Sequence, residues 1–583
     1  MKTRYVFLLL AVTLFAISCD KFEKASRNPY AMESSQAKAE SYVQPILFKT
    51  QSNLLSVFRS TTAMLMQYSV STSTDVTSKI VANYNIPEGT SDDIWSGLYI
   101  QYGNACKMYE TAVKEKSLSL QAVALVLKAQ LITLITDTYG DVPFTEAGQI
   151  SLEGAEINKY TTRYDPQKEI YRQVIIMLEE ANDLFSKSEE TNFSPICDLT
   201  FRGDLDKWRR FGNTLYAKVL NRIAMKVVEE DGGVLELDEE WEFVDVRSKL
   251  AELYSCYLSG AGLYPVMRSR DDAALVPFDY DNEYMHTPFY STTNGIWNAV
   301  AACDVLMRRM LDTTENLMKE EWGIVGTQYY YAYKAPDSGG HPIDPRWDCY
   351  YRKAGAAPTQ MLSADQKSFF ANFLSSQGNS RVGRMTKGEE ASALTGLTFN
   401  LKNADNYALM NFSELLFIFA EAGARGYIPE ASVIGSYQEI FADAITESIL
   451  EWRPDLKATD SEVTSFVDYI NNGELFSGKV FNSDNALEAI LTQKWVSTFF
   501  IGIESWCDYR RTGYPLLKTN GPAAENKGIL PTRLRYPSDE VYRNSVTHQE
   551  ALDRWLGGTN NIQTDVWWAS TAESRALRLL GRQ

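Results

Sequence analysis

The sequence predicts a mainly α-helical protein built from paired helices and interrupted by a loop-rich region. Apolar residues recur at helical spacing in six long segments, and four of these segments form two pairs, at 120–186 and 411–452. Each pair is near the ~34 residues of a tetratricopeptide repeat, although strict sequence repetition is absent and the first pair has a longer connection. We therefore expect divergent helical hairpins that stack into a scaffold.

The six predicted helices follow from local apolar periodicity and from the residues that end them. They are expected at 120–138, 165–186, 206–229, 412–426, 436–452 and 485–500. The first is apolar nearly all round, which predicts a buried helix, and the turn that contains Gly140 ends it. Asp165-Pro166 begins the second, and Gly426 is expected to cap the fourth.

The N-terminus has the parts of a bacterial export signal. Lys2 and Arg4 precede an apolar run at 5–17, which is far shorter than the ~20 residues that a membrane span needs. The run ends in small residues directly before Cys19. We expect residues 1–18 to be a lipoprotein signal peptide and Cys19 to carry lipid; an ordinary secretory signal beside a chance cysteine is the alternative.

Composition predicts a folded protein with a large core. The chain has 583 residues, of which 45% are hydrophobic, and its net charge of −18 argues against a nucleic-acid partner, which needs a basic surface. The length suggests several domains, but no linker-like tract separates them. We expect one body over 19–583, with a helical scaffold mainly at 40–256 and 411–510 and loop-rich insertions at 257–410.

The sequence contains few of the residues and motifs that metal binding, cofactor binding or catalysis requires. Six scattered cysteines remain besides Cys19, without a CxxC motif, and only three histidines are present, so we expect free thiols and no metal. Residues 279–282 could offer oxygen atoms to Ca²⁺, but no EF-hand spacing supports a calcium site and a solvated loop is the simpler expectation. No hydrolase or nucleotide-binding motif occurs, so we expect no enzyme and no cofactor.

Residues 493–515 form the densest motif in the chain. An apolar helix runs into a cluster of acidic, aromatic and basic side chains that a turn closes at Gly513. Arginine can both fork onto a carboxylate and stack on a ring, so we expect a packed, mainly structural network. Glu421 lies on an apolar helix face and needs a partner there, for which Arg510 and Arg511 are the candidates.

Several short segments along the chain resemble the motifs of one family, in that family's order. They lie at 137–144 (DTYGDVPF), 207–215, 344–346 (DPR), 411–422, 493–495, 510–515, 531–537 (expected as a strand) and 567–568 (WW). This order resembles the SusD/RagB family of nutrient-binding outer-membrane lipoproteins from Bacteroidetes. Gly212 and Ser413 stand where Ala is more usual in the family; each exchanges one small residue for another and leaves the resemblance intact.

The resemblance implies a fold and a role. The fold is a SusD-like α-α superhelix with tetratricopeptide-like hairpins and an irregular, ligand-bearing half. The acidic residues after Cys19 resemble a surface-export signal, so the resemblance implies a lipid-anchored protein on the cell surface. Family members act as lids over a SusC-like TonB-dependent transporter and capture oligosaccharides or, in some members, peptides. A structural subunit that binds no ligand is the alternative.

Aromatic side chains are the candidate ligand contacts, because ring faces pack on the apolar faces of sugars. Apart from the DPR element, the insertions match no family motif, and substrate choice would lie there. Four tyrosines within 329–333 cannot all face inward on one element, so some are exposed. Each candidate could instead pack within a loop or contact the transporter. The candidates are Trp95, in a position where the resemblance suggests a ligand aromatic, and Tyr284, Tyr290, Trp297, Tyr329, Tyr331 and Trp347.

Overall fold

The helices form the bulk of the structure. The computed structural model describes residues 37–71, 81, 84, 86–149, 161–279, 282–288, 300–302, 304–310, 322–325, 328–332, 342–346, 360–362, 406–429, 437–472, 474–475, 479–480, 485–517 and 529–580. Within them the helices are α1 Val43–Val57, α2 Asp92–Glu115, α3 Leu118–Tyr139, α4 Gln167–Lys187, α5 Leu205–Asp231, α6 Val246–Ser259, α7 Asp304–Met310, α8 Phe412–Ala424, α9 Tyr437–Trp452, α10 Ser461–Asn472, α11 Ala486–Ser497, α12 Glu504–Thr512, α13 Ser545–Trp555 and α14 Ala572–Leu580.

Five of the six predicted helices are confirmed to within two residues at each end. The sixth, α11, ends at Ser497 instead of Phe500, because Phe500 adopts a left-handed backbone conformation with φ of 68° that an α-helix excludes. Gly426, with φ of 71°, lies in the turn after α8, where the sequence placed a cap. The predicted mainly α fold class is confirmed.

Sequential helices pack side by side as hairpins. α2 packs on α3, α3 on α4, α4 on α5, and α8 on α9. α3 lies in the middle of the first group and is buried over most of its surface, as its all-round apolar sequence predicts. Among the described helices it is also the one long and apolar enough to cross a membrane by length and composition, and 78% of that stretch is buried inside the protein. Its burial is that of a core helix.

The strands are short and their described pairs are antiparallel. They are β1 Ser69–Ser71, β2 Val142–Pro143, β3 Tyr164–Asp165, β4 Val234–Glu236, β5 Phe243–Asp245, β6 Ala274–Pro277, β7 Val300–Ala302, β8 Trp322–Val325, β9 Gln328–Ala332, β10 Gln360–Leu362, β11 Asn406–Met410, β12 Glu474–Leu475 and β13 Lys479–Val480. β6 pairs with β11, and β9 lies between β8 and β10. The insertions predicted as loop-rich therefore also contain short strands.

The DPR element ties the insertions to the helices. The Arg346 guanidinium donates to both carboxylate oxygens of Asp344, at 2.9 and 2.6 Å. It also donates to Ser448 Oγ on α9 and to Gln493 Oε1 on α11, each at 2.8 Å. Because both charged side chains are fully buried, this ion pair fixes the local position of the insertion against two scaffold helices.

The segment 531–537, predicted as a strand, is irregular in the structure. Its groups bond to the C-terminal end of α3 instead of to a neighbouring strand: Leu534 N–H donates to the Thr138 carbonyl at 2.9 Å, and Arg533 Nε donates to the Tyr139 carbonyl at 3.0 Å. The strand prediction was therefore wrong. Of the cysteines, Cys106, Cys197, Cys256 and Cys507 lie in the described part of the chain and are free thiols, as expected.

Candidate ligand-binding cavity

The dense motif at 493–515 holds the helices together. Arg511 forks onto Glu421, with Nη1–Oε1 at 2.6 Å and Nη2–Oε2 at 2.7 Å, and Nη2 also donates to Asp508 at 2.9 Å. Arg425 adds a bond to Glu421 at 2.8 Å. Burial would raise the pKa of Glu421, but the charges of Arg511 and Arg425 outweigh it and hold the pKa well below its usual range. The predicted partner of Glu421 is therefore Arg511.

A second layer of buried ion pairs joins α5 to α12 and α8. Lys218 Nζ lies 2.8 Å from Glu414 and 2.9 Å from Glu504, and Arg222 Nη2 donates to Glu504 at 2.7 Å. Burial opposes ionisation of Glu504, but the cations Arg222, Lys218 and Lys494 together hold its pKa well below its usual value. Burial raises the pKa of Glu414, which has fewer cations around it. These charges are paired inside the scaffold and do not offer a ligand surface.

Arg510 supplies the stacking half of the network. Its guanidinium centre lies 3.8 Å from the Trp506 ring centroid and 4.7 Å from that of Trp568, one residue of the closing WW motif. Nη1 donates to the carbonyls of Asp137 at 2.6 Å and Thr532 at 3.0 Å. Burial lowers the pKa of Arg510. Arg511 binds a carboxylate at two points and Arg510 stacks on aromatic rings, so the motif makes both kinds of interaction that the sequence predicts.

Trp95 lies in a cluster of aromatic side chains near the start of α2. Its ring centroid is 4.7 Å from that of Tyr99, 4.9 Å from Tyr139, 6.0 Å from Tyr536 and 6.4 Å from Tyr164. The four tyrosine hydroxyls donate to backbone carbonyls or to a carboxylate of neighbouring segments. Trp95 itself is partly buried against the core. Its role as a ligand contact stays a prediction.

Three of the six other predicted contacts fall on residues that the structure describes. Tyr284 is 80% exposed, in a short turn after β6. Tyr329 and Tyr331 belong to β9, where Tyr329 is the register partner of Ile324 and Tyr331 that of Trp322. Tyr290, Trp297 and Trp347 lie outside the described residues.

A cavity of about 340 Å³ lies where the insertions meet the scaffold. Its walls come from β6 and β11, from the last turn of α9, and from the turn between α11 and α12. Four aromatic residues line it: Tyr407, Trp452, Phe499 and Phe500. The Trp452 and Phe500 ring centroids are 6.0 Å apart, and Tyr407 meets Phe500 edge-on at 5.7 Å. The left-handed backbone of Phe500 belongs to this wall, and such strain is typical of functional sites.

Polar groups share the cavity wall. Asn406 and Asn411 offer side-chain amides, and Arg270 and Asp271 enter from the turn before β6. Arg270 is already engaged: its Nε lies 3.0 Å from Glu447 on α9, and Nη1 donates to the Leu450 carbonyl at 2.8 Å. The cavity therefore combines ring faces with amide, carboxylate and guanidinium groups, the mixture that a polyhydroxylated ligand needs.

Glu451 is the cavity carboxyl whose pKa is shifted most from its ordinary value. It accepts hydrogen bonds from the backbone N–H of Ser413 at 2.9 Å and from the Ser413 hydroxyl at 2.6 Å. Burial raises the pKa of Glu451 to about 7, although both bonds from Ser413 lower it. Ser413, which stands where Ala is more usual in the family, is a direct hydrogen-bond partner of this carboxyl.

Sequence reasoning missed this cavity. The sequence predicts Trp452 and Phe500 only as residues at helix ends, where aromatic side chains are more often core than ligand contacts. Because α11 ends at Ser497, Phe499 and Phe500 lie in the turn that forms part of the cavity wall. Within the described part of the chain, no group of three or more His, Cys, Asp or Glu side chains is arranged to hold a metal ion.

Comparison with protein families identifies the fold. A family model described as starch-binding and associating with the outer membrane matches residues 31–315 and 344–537, which is more than half of the chain. The chain belongs to the SusD-like family. The resemblance inferred from the ordered motifs is thereby confirmed. A comparison with curated proteins gives no match for this SusD-like chain.

Solved SusD homologues share the architecture of the chain. One from Bacteroides fragilis is 17% identical with a TM-score of 0.63, covering 92% of this chain and 100% of its own. One from Parabacteroides distasonis is 18% identical with a TM-score of 0.64, covering 90% and 97%. A chitin-binding SusD homologue from Flavobacterium johnsoniae is 19% identical with a TM-score of 0.59, covering 91% and 99%. At these identities the likeness shows the fold.

Proposed function

We propose that this SusD-like chain captures a glycan at the cell surface and delivers it to a SusC-like TonB-dependent transporter. The observation that carries the proposal is the cavity at the junction of scaffold and insertions, with aromatic rings on its walls and amide and charged groups between them. Membership of a family described as starch-binding and associated with the outer membrane supports the same role.

Aromatic rings and hydrogen-bonding groups would make two different kinds of contact with the glycan. Trp452, at the rim of the cavity, would stack on the apolar face of a sugar ring, as aromatic side chains do with amphipathic ligands. Asn406 and Asn411 would exchange hydrogen bonds with hydroxyl groups, since each amide both donates and accepts. The scaffold holds these groups in place, so little ordering is needed before binding.

The anchor and the partner complete the proposal. Lipid on Cys19 would hold the protein at the outer membrane, so that it could close over the transporter as a lid. The chain itself would perform no catalysis and need no cofactor; its family is described by binding.

A glycan is favoured over a peptide as the ligand. The family description names starch, and one structural neighbour is titled chitin-binding; both ligands are polysaccharides. A peptide-binding role and a purely structural role in the transporter complex remain the alternatives.

A binding screen tests the proposal. Lipid-free protein that starts after Cys19 would be titrated by calorimetry with starch-derived, chitin-derived and other oligosaccharides and with peptides. We expect a glycan to bind with a Kd in the micromolar to millimolar range. If only peptides bind, the ligand is a peptide and not a glycan. If no compound of the panel binds and the protein co-purifies stably with the transporter, the structural role is favoured.

Two variants separate the cavity from the predicted loop aromatics. Trp452→Ala removes the cavity ring, and a triple replacement of Tyr329, Tyr331 and Trp347 by Ala removes the insertion aromatics. If the cavity is the site, the first variant loses glycan affinity and the triple variant keeps it. The opposite pattern would place the site on the insertions, with the family role unchanged.

A further inference from the structure

The electrostatics of the cavity suggest a narrower class of ligand. Glu451 lies in the last turn of α9, where the helix dipole places negative charge, and that turn contains no basic residue. Glu447, another carboxylate, precedes it by one helical turn, a spacing at which like charges repel. Burial, the dipole of α9 and the neighbouring Glu447 therefore destabilise a carboxylate at this position, and they outweigh the bonds from Ser413 in the first turn of α8, which favour it.

The cation on the cavity wall offsets the burial of this carboxylate only in part: Arg270 lowers the pKa of Glu451, but burial outweighs it. Among the described residues that line the cavity, Arg270 is the one cationic side chain, and it is paired with Glu447 and the Leu450 carbonyl. In the part of the chain that the structure describes, the charged groups that act on Glu451 are Arg270, from the turn before β6, and Glu447 on its own helix. Asp271 also lines the cavity, α8 contributes Ser413, and the turn after α11 contributes uncharged side chains. Among these described residues Glu451 has hydrogen-bond partners but no counter-ion within ion-pair distance.

The cavity also offers an aromatic face beside the carboxyl group. Trp452 follows Glu451 directly in the chain, and both residues line the same cavity. A cation is stabilised by an indole face and by a carboxylate at the same time, and desolvation strengthens both interactions.

We propose that the cavity binds an amino sugar, with its ammonium group paired to Glu451 and its ring stacked on Trp452. This inference rests on the proposed glycan-binding function and narrows its substrate class. The ammonium supplies the charge that the end of α9 lacks. A neutral sugar could use the same stacking face but would form no ion pair with Glu451.

The proposal includes a proton balance. Burial raises the pKa of Glu451 to about 7, so below neutral pH a large share of the free protein carries the proton on this carboxyl. A bound ammonium favours the carboxylate, so the Glu451 proton leaves to the buffer as the ion pair forms. Binding should therefore release protons when it is measured just below neutral pH.

Calorimetry with matched oligosaccharides tests the ligand class on the unaltered protein. Oligomers of glucosamine, of N-acetylglucosamine and of glucose, equal in length, would be titrated at about pH 6, where the amine is protonated, in two buffers that differ in ionisation enthalpy. We expect the glucosamine oligomer to bind at least about tenfold more tightly than its acetylated counterpart, with release of protons on binding.

A charge-neutral variant tests the role of Glu451. In Glu451→Gln the preference for the amine should fall to about one and proton release should vanish, while binding of the N-acetylated oligomer persists. Asp468→Asn is the matched control, because Asp468 is an exposed residue of α10 that does not line the cavity, and the variant makes the same change of charge. It should keep the preference of the unaltered protein.

The outcomes separate this inference from the broader function. Equal or tighter binding of the acetylated or glucose oligomer by the unaltered protein overturns the amino-sugar assignment and leaves glycan binding intact. Binding of lysine-containing peptides in place of any sugar overturns both. A preference for the amine that survives in Glu451→Gln also overturns the proposal, since the ammonium would then be held elsewhere.

Discussion

Glu421 shows how one side chain can hold several helices. It lies on α8, is fully buried, and receives Arg511 from α12 in a two-point fork and Arg425 from its own helix. Removing such a carboxylate from water has a large free-energy cost. The cations offset that cost only while they stay at hydrogen-bonding distance from it. A single change of charge therefore leaves buried cations without compensation.

Glu421→Gln is expected to lower the free energy of unfolding by about 3 kcal/mol, because it removes the charge from a buried, hydrogen-bonded pair. Glu573→Gln is the control: Glu573 also pairs with Arg425, at 3.1 Å, but is 49% exposed, so its removal should cost less than about 1 kcal/mol. Urea denaturation of both variants measures the difference. Equal costs would contradict a structural role for the buried fork.

Glu451 gives the stability of the protein a dependence on pH. The folded protein keeps the proton on this carboxyl up to about pH 7, whereas the unfolded chain loses it near pH 4. Folding therefore binds a proton in this window, and the contribution of Glu451 to the free energy of unfolding falls by about 2–3 kcal/mol as the pH rises from about 4.5 to 7.

Glu451→Gln should flatten that part of the curve. The slope of the unfolding free energy against pH between about 5 and 7 should be less negative in the variant than in the unaltered protein, whatever the absolute stability. Denaturation curves at a series of pH values measure the slope. Parallel curves for the two proteins would show that Glu451 titrates at its ordinary pKa and would remove the support that it gives to the cavity electrostatics.

At the scale of elements, the predictable helices are those whose own sequence shows which face is buried. α3 and α5 have long apolar patterns, and both were predicted to within two residues. α12 was not predicted as a helix, although all nine of its residues are buried, because its sequence ESWCDYRRT is polar and its charges are neutralised by side chains from α5, α8 and α11. Local periodicity contains no information about partners that are distant in the chain.

The packing of α12 on α14 depends on one glycine. Gly513 caps α12 with φ of 80°, and a Cβ there would lie 2.4 Å from Leu577 Cβ and 3.1 Å from the Arg578 backbone nitrogen. Gly232 caps α5 with φ of 68° and would have nothing within 4 Å of a Cβ. The two glycines share the backbone requirement and differ in the space around them.

This pair predicts two different costs. Gly232→Ala should lower the free energy of unfolding by about 1 kcal/mol, the strain of a left-handed residue. Gly513→Ala should add about 1–3 kcal/mol to that, because α14 must shift to admit the methyl group. Thermal or urea denaturation measures both. If the two variants lose the same stability, the close approach of α12 and α14 does not exist.

The cavity illustrates why the site is harder to predict than the fold. Its walls come from α9, from the β6–β11 pair and from the turn after α11, segments that are up to about 230 residues apart in the chain (Arg270 to Ile501). Aromatic composition pointed to the insertions, where Tyr284 is exposed, but no sequence pattern indicates that Trp452, Phe500 and Tyr407 come together. Only the folded chain places them on one surface.

At the scale of the whole molecule, the ordered motifs were sufficient to predict the family because they are widely spaced and each has a structural task. The DPR element fixes the insertion, the motif at 493–515 joins the helices, and the WW motif supplies a ring for Arg510. The domain boundaries and the lipid anchor stay predictions.

Cys19→Ala tests the anchor. We expect the variant to incorporate no labelled palmitate. It should also be lost from the outer-membrane fraction, because without the lipid chain the protein has no anchor in that membrane. Cys197→Ala, which removes a free, partly exposed thiol, is the control and should retain both label and location. Acylation that persists in Cys19→Ala would place the lipid on another residue.

The most direct test is the affinity for glycan of the protein with and without the cavity ring. The best oligosaccharide from the binding screen would be titrated by calorimetry into the unaltered protein, Trp452→Ala, and Tyr542→Ala, whose side chain is 83% exposed and does not line the cavity. We predict a loss of at least tenfold in affinity, about 1.4 kcal/mol, for Trp452→Ala and no change for Tyr542→Ala. Unchanged affinity in a folded Trp452→Ala variant would contradict the cavity as the site of glycan capture.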